Sequence, residues 1–106
     1  SRDELDFNNG IAFSVPETTG VRSVAQGTVA YVGEREGYGK LLVINHDQGV
    51  QTRYGNLSDI SVAVGQSVTT NAEVGSISGD GYLYFEVRTN SSNGWIAQDP
   101  GQYLPA

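Results

Sequence analysis

Fourteen glycines in 106 residues are the feature that most restricts this chain. They fall at 10, 20, 27, 33, 37, 39, 49, 55, 65, 75, 79, 81, 94 and 101, and rarely leave more than about ten residues unbroken. An ordinary helix needs about 10–14 residues of 3.6-period pattern without a breaker, and no interval supplies one. The intervals instead hold β-branched and aromatic residues in short runs: Ile11–Val15, Val21–Ala25, Thr28–Val32, Lys40–Asn45, Val50–Tyr54, Val62–Val64, Glu73–Ser78 and Tyr82–Thr89. Short strands at this spacing, with turn signals between them, predict an all-β, compact antiparallel sheet or sandwich with essentially no helix. The length suits one domain spanning 1–106.

Two strands can be read in detail. Lys40-Leu41-Leu42-Val43-Ile44-Asn45 is a nearly continuous apolar run, expected to be covered on both faces. The polar His46-Asp47-Gln48-Gly49 that follows is a turn, so Lys40–Asn45 and Val50–Tyr54 form a hairpin. In Tyr82–Arg88 the pattern alternates: Leu83, Phe85 and Val87 face one way, Tyr82, Tyr84, Glu86 and Arg88 the other. The second face reads either as the floor of a groove or as a half-exposed strand with ordinary cross-strand pairs, with Glu86 and Arg88 as a same-face pair. Beyond Asn90 the chain is a polar tail, whose Trp95, Tyr103 and Leu104 are expected to tuck it onto the sheets.

Charge and ligand content exclude much chemistry. Twelve acidic residues against six basic ones give a net charge of −6, and Lys40 is the only lysine. Nucleic acids and anionic membranes need clustered cations, so neither is an expected partner. No stretch is long and apolar enough to span a bilayer. There is no cysteine and one histidine, which removes thiolate sites and any mechanism requiring two imidazoles. Ser1 stands where an initiator methionine would be, which suggests a segment of a longer chain.

The order of landmarks resembles the lysostaphin/LytM-type zinc endopeptidases of bacterial cell walls. Gly27–Gly33, Gly37–His46, Tyr54-Gly55-Asn56-Leu57-Ser58, Val64–Val68, Val74–Gly79 and Leu83–Arg88 follow one another as they do there, from about Asn8 to Leu104. The resemblance implies a zinc site in a groove over the central sheet, built from a His-x3-Asp motif, a Tyr-x-His-Leu motif and a His-x-His motif. The matching segments here are Asn8-Asn9-Gly10-Ile11-Ala12, Tyr54-Gly55-Asn56-Leu57 and Tyr82-Leu83-Tyr84. All five chemical positions (Asn8, Ala12, Asn56, Tyr82 and Tyr84) are therefore substituted. Catalytic zinc takes imidazole, carboxylate or thiolate donors, usually three from the protein. An amide, a methyl and a mostly protonated phenol do not replace them, so no cofactor and no peptidase activity are expected. His46 lies at a turn, outside that set. Only Asp80-Gly81 separates Gly79 from Tyr82, so one wall of the cleft is expected to be short.

Degenerate members of this family, of the EnvC and NlpD type, activate cell-wall amidases in division or act in envelope assemblies. The resemblance thus implies an extracytoplasmic, periplasmic binding domain with an amidase or envelope protein as partner. Asn8, Asn56, Tyr82 and Tyr84 would line the groove, with Arg53 and Arg88 at its rim. Aromatic bodies with polar tips suit such an interface; alternatively, the two tyrosines simply fill the vacated metal site. A peptidoglycan-binding or structural module is the second reading, and an active metallopeptidase with an unusual site a remote third. Lipoyl carriers and sugar phosphotransferase domains share related β architectures. The first needs an exposed hairpin lysine and the second paired histidines, and both are missing.

Overall fold

The computed structural model describes residues 10–91 and 94–98, and they form two antiparallel sheets packed face to face. Ten strands follow one another: β1 Gly10–Ser14, β2 Thr19–Arg22, β3 Gly27–Arg35, β4 Gly39–Asn45, β5 Val50–Leu57, β6 Asp59–Ile60, β7 Ser67–Val68, β8 Glu73–Ile77, β9 Tyr82–Ser91 and β10 Gly94–Gln98. The larger sheet runs β1-β9-β5-β4-β3-β7, and the smaller runs β2-β8-β6. β10 also pairs with β9, on residues 87–91, whereas β1 pairs with residues 82–86. Since β5 holds residues 84–89 from the other side, β1 and β10 lie end to end along one edge of β9. The expected all-β sandwich is what the chain forms, with a single 3-10 turn at Asp47–Gly49 as its only helical element among the described residues.

The core sits between the sheets. Leu42, Ile44, Tyr54, Leu57, Phe85, Val87, Val29 and Val68 of the large sheet meet Val21, Val74 and Ile77 of the small one. Tyr54 and Phe85 pair at 5.5 Å between ring centroids, tilted by 59°. Each such aromatic removes on the order of 150–250 Å² from water, which makes this pair the main apolar anchor of the layer. Leu41, Leu42, Val43 and Ile44 are all buried, as a run covered on both faces requires. The β4–β5 turn closes as expected, with His46 N–H donating to Val50 O at 2.7 Å. Gln48 and Gly49 adopt left-handed φ values of 65° and 72°.

Two sequence expectations change, and others fall outside the described residues. Residues 62–64 are not a strand: Gln66 N–H donates to Ala63 O and Gly65, at φ 91°, donates to Val29 O. Two valines read as a strand there, but a turn takes the backbone groups. The segment after Asn90 is not only tail, because β10 completes the edge of β9. Its Trp95 side chain, and the expected docking of Tyr103 and Leu104, lie outside the described residues, as does Asn8.

Candidate functional site

The outward face of the large sheet carries the chemistry-bearing positions. Cross-strand register puts Ala12 of β1 opposite Tyr84, Ser14 opposite Tyr82 and Gly10 opposite Glu86. On the other side of β9, Gly55 faces Tyr84, Arg53 faces Glu86 and Gln51 faces Arg88. Alternation explains the placement: with Phe85 and Val87 in the core, Tyr82, Tyr84, Glu86 and Arg88 must point away from it.

Asn56 owes its position to a bulge. Lys40 pairs with Leu57 and Leu42 with Tyr54, so Gly55 and Asn56 of β5 together oppose one residue of β4. Asn56 takes a left-handed φ of 64°, which asparagine tolerates better than most residues. Its N–H donates to Tyr38 O at 2.6 Å, and its Nδ2 donates to Tyr82 O at 2.8 Å. The bulge thereby aims Asn56 at β9 and joins it to Tyr82, two of the positions that the resemblance assigns to the site.

Glu86 is the centre of the face. It is only 2% exposed, an expensive place for a carboxylate unless its oxygens are fully used. They are. Tyr38 donates its hydroxyl to the carboxylate at 3.0 Å from Oε2, Tyr84 donates to Oε2 at 2.8 Å, and Arg88 Nε donates to Oε1 at 3.0 Å. The expected Glu86–Arg88 pair therefore exists, but inside a larger cluster. Tyr38 and Tyr84 also contact each other at 5.8 Å between ring centroids. Burial, followed by the Glu86 charge, raises the Tyr38 pKa above its ordinary value, which keeps the phenol protonated as a donor.

Tyr84 lies across β1 at Gly10. A Cβ on Gly10 would stand 2.7 Å from Cζ of Tyr84 and 2.8 Å from its hydroxyl, so only glycine lets the ring lie there. Tyr82 behaves differently, being 48% exposed. Arg53 and Arg88 stand on inner strands, so both belong to the floor of the face rather than its rim. Arg53 Nε donates to Gln51 Oε1 at 2.9 Å, and Gln51 Nε2 donates to Asn45 Oδ1 at 2.9 Å.

The donor set does not fit zinc. Ala12 has no donor atom, Asn56 offers only a neutral amide oxygen, and the Tyr84 hydroxyl is engaged by Glu86. Among the described residues, no three His, Asp or Glu side chains converge on a point where a metal could sit. His46 is structural. Its Nδ1 lies 2.8 Å from Gln26 O, which can only accept, so Nδ1 carries a proton. Its Nε2 is 2.7 Å from the Thr52 hydroxyl, itself 2.8 Å from the Tyr54 hydroxyl, and Val24 N–H donates to Tyr54 at 3.3 Å.

The short loop before β9 is a tight turn, with Gly81 N–H donating to Ser78 O at 3.1 Å. Asp80 N–H donates to Val15 O at 2.9 Å, and Val15 N–H to Gly81 O at 3.1 Å, which ties the turn to the end of β1. A cavity of about 480 Å³ opens on the opposite side of β9, where Phe13, Val21, Val24, Tyr54, Leu83 and Phe85 line it. Arg22 is its one charged lining residue among the described residues, and Asn71 O and Glu73 already hold it. The reactive side chains are thus on the outward face, not in this cavity.

Sequence reading did not single out Tyr38 or the burial of Glu86. Tyr38 sits between Gly37 and Gly39 in a turn, where an aromatic needs to reach something to be held. That was the available signal. A glutamate alternating with tyrosines looks solvent-facing, so Glu86 gave none.

Comparison with known proteins agrees with this geometry. The model of peptidase family M23 matches residues 6–96. The lipoprotein NlpD/LppB homologue of Pseudomonas aeruginosa is 35% identical over 104 residues, covering 93% of this chain and 34% of that protein. The DD-carboxypeptidase/endopeptidase Mpg of Neisseria meningitidis is 34% identical over 89 residues, 79% of this chain and 20% of that protein. The chain thus spans about a third or less of these relatives. The catalytic domain of lysostaphin from Staphylococcus simulans superposes with a TM-score of 0.79 at 26% identity, covering 92% of this chain and 79% of that one.

Proposed function

The chain belongs to peptidase family M23, and from that premise we propose that this domain acts by binding rather than by hydrolysis. It docks a protein partner of the bacterial envelope on the outward face of its large sheet, and it activates or positions that partner, a cell-wall amidase being the first candidate. Its place of action is the periplasm, which accords with the lipoprotein name of the Pseudomonas relative.

The observation that carries this reading is the fate of Tyr84. The side chain at the position that the resemblance makes a ligand lies over Gly10 and hydrogen-bonds a buried carboxylate, so its hydroxyl is committed within the fold, which supports a binding role over a metal-holding one. What is left facing outward is Tyr82, half exposed, with Asn56 bonded to its carbonyl and the arginines further along the same face. An amphipathic tyrosine surface of this kind suits protein contact. Of the two earlier readings of the tyrosines, filling fits Tyr84 and contact fits Tyr82.

The test combines metal and partner. Zinc bound at far less than one per chain after dialysis against micromolar zinc, together with saturable binding to a host amidase that Tyr82→Ala weakens, is the expected result. Zinc near one per chain with chelator-sensitive hydrolysis of peptidoglycan would overturn it. Tight binding to purified sacculi without binding to any amidase would instead assign the face to peptidoglycan.

A further inference from the structure

The outward face holds more positive charge than it neutralises. Tyr31, Val43, Arg53, Glu86 and Gly10 stand opposite one another from strand to strand, one row across β3, β4, β5, β9 and β1. Arg35 belongs to the same face, its guanidinium 5.4 Å from the centroid of the Tyr31 ring. With Arg88 this makes three arginines to one carboxylate among the described strand residues, in a chain whose net charge is −6. Two of the three are accounted for: Arg88 by Glu86, Arg35 by the face of Tyr31. Arg53 is not. It donates Nε–H to Gln51 Oε1, a neutral acceptor, and forms no ion pair among the described residues.

We propose that Arg53 anchors a carboxylate side chain of an acidic peptide segment, presented by the partner that docks on this face. The proposal rests on the docking reading above and gives its partner a chemistry. A guanidinium fork matches a carboxylate in shape and charge. Arg53 is half-buried beside Tyr38, so an ion pair made there is less screened than one at an open surface. The alternative anions are less suited. A membrane surface or a phosphate polymer needs many cations at once and meets the repulsion of the whole chain. A single carboxylate on a peptide meets only the local excess. The peptide's apolar side chains would rest on Tyr82 and the rings flanking it.

The experiment uses two amphipathic probe peptides, acetylated, amidated and fluorescein-labelled, identical except that one carries glutamates where the other carries glutamines. Anisotropy titration of the whole chain is expected to show the glutamate peptide binding about tenfold tighter or more. Arg53→Gln should abolish that preference, Arg53→Lys should keep part of it, and Arg22→Gln, on the other side of the molecule, should leave it unchanged. Amide NMR spectra establish that each variant is folded, and the two-peptide comparison on the unaltered chain stands even if one is not. Equal affinity for the two peptides would overturn the proposal, as would a preference that survives Arg53→Gln. Arg53-dependent binding to vesicles of phosphatidylcholine with phosphatidylglycerol, at similar strength, would reassign the anchor to lipid. Failure of the anchor alone is recognisable, because amidase binding would then persist and ignore Arg53→Gln. Failure of the docking reading would remove amidase binding from the unaltered chain.

Discussion

On the inner face of β5 and β9, Tyr54 packs on Phe85 and its hydroxyl joins the His46–Thr52 chain. On the outer face of the same two strands, Tyr38 and Tyr84 close around Glu86 with Arg88. Both faces bury aromatic rings and both satisfy their polar atoms, yet they store stability differently. The inner face depends on apolar area, with hydrogen bonds only at the hydroxyl tip. The outer face depends on one buried carboxylate held by two phenols and an arginine, an arrangement that costs much if any member is lost and contributes little beyond an apolar replacement. Such a cluster fixes geometry more than it adds stability, which suits the docking role proposed for this face.

The largest expected effect falls on the inner face. Phe85→Ala should destabilise the domain by about 3–5 kcal/mol, read from urea or thermal unfolding. Glu86→Gln keeps the shape but offers a donor where three donors already point, so a loss of about 1–3 kcal/mol is expected. If Glu86→Gln proved as costly as Phe85→Ala, the two faces would not differ in the way described.

A pH series sharpens the same contrast. Burial raises the pKa of both Tyr38 and Tyr54 above the ordinary 10.0, with the Glu86 charge adding to the shift at Tyr38. A group whose folded pKa is raised contributes stability fully present below its unfolded pKa and lost as pH rises through the folded one. Unfolding free energy should therefore be flat towards pH 10 and fall above it. Tyr38→Phe should shallow that fall and cost about 1 kcal/mol at neutral pH, where its hydroxyl bond is missing. The smallest effect is reserved for Tyr82→Ala. At 48% exposure its loss should change stability by less than about 0.5 kcal/mol while weakening partner binding, which separates contact from packing.

Much of this was legible in the sequence, for physical reasons. Glycine spacing excluded helices, and the strict alternation of Tyr82–Arg88 sorted its residues onto two faces correctly. Leu41–Ile44 read as doubly covered because every position is apolar. What escaped depends on long-range packing. Nothing local says that Glu86 is buried, since the donors that permit it come from Tyr38 in a turn 48 positions away and from its own neighbours on β9. Nor could the chain announce that β10 would extend the edge that β1 begins, because pairing along one long strand is decided by register, not by composition. Asn8, Ala12, Asn56, Tyr82 and Tyr84 were singled out only by resemblance. The structure adds how Tyr84, Tyr82 and Asn56 are held.

The most direct measurement is release of soluble fragments from dye-labelled sacculi, comparing the purified chain alone, the host amidase alone and the two together. The expected result is no release by the chain alone and release by the amidase that rises several-fold when the chain is present, with Tyr82→Ala reducing the rise. Release by the chain alone, abolished by a zinc chelator, would contradict it.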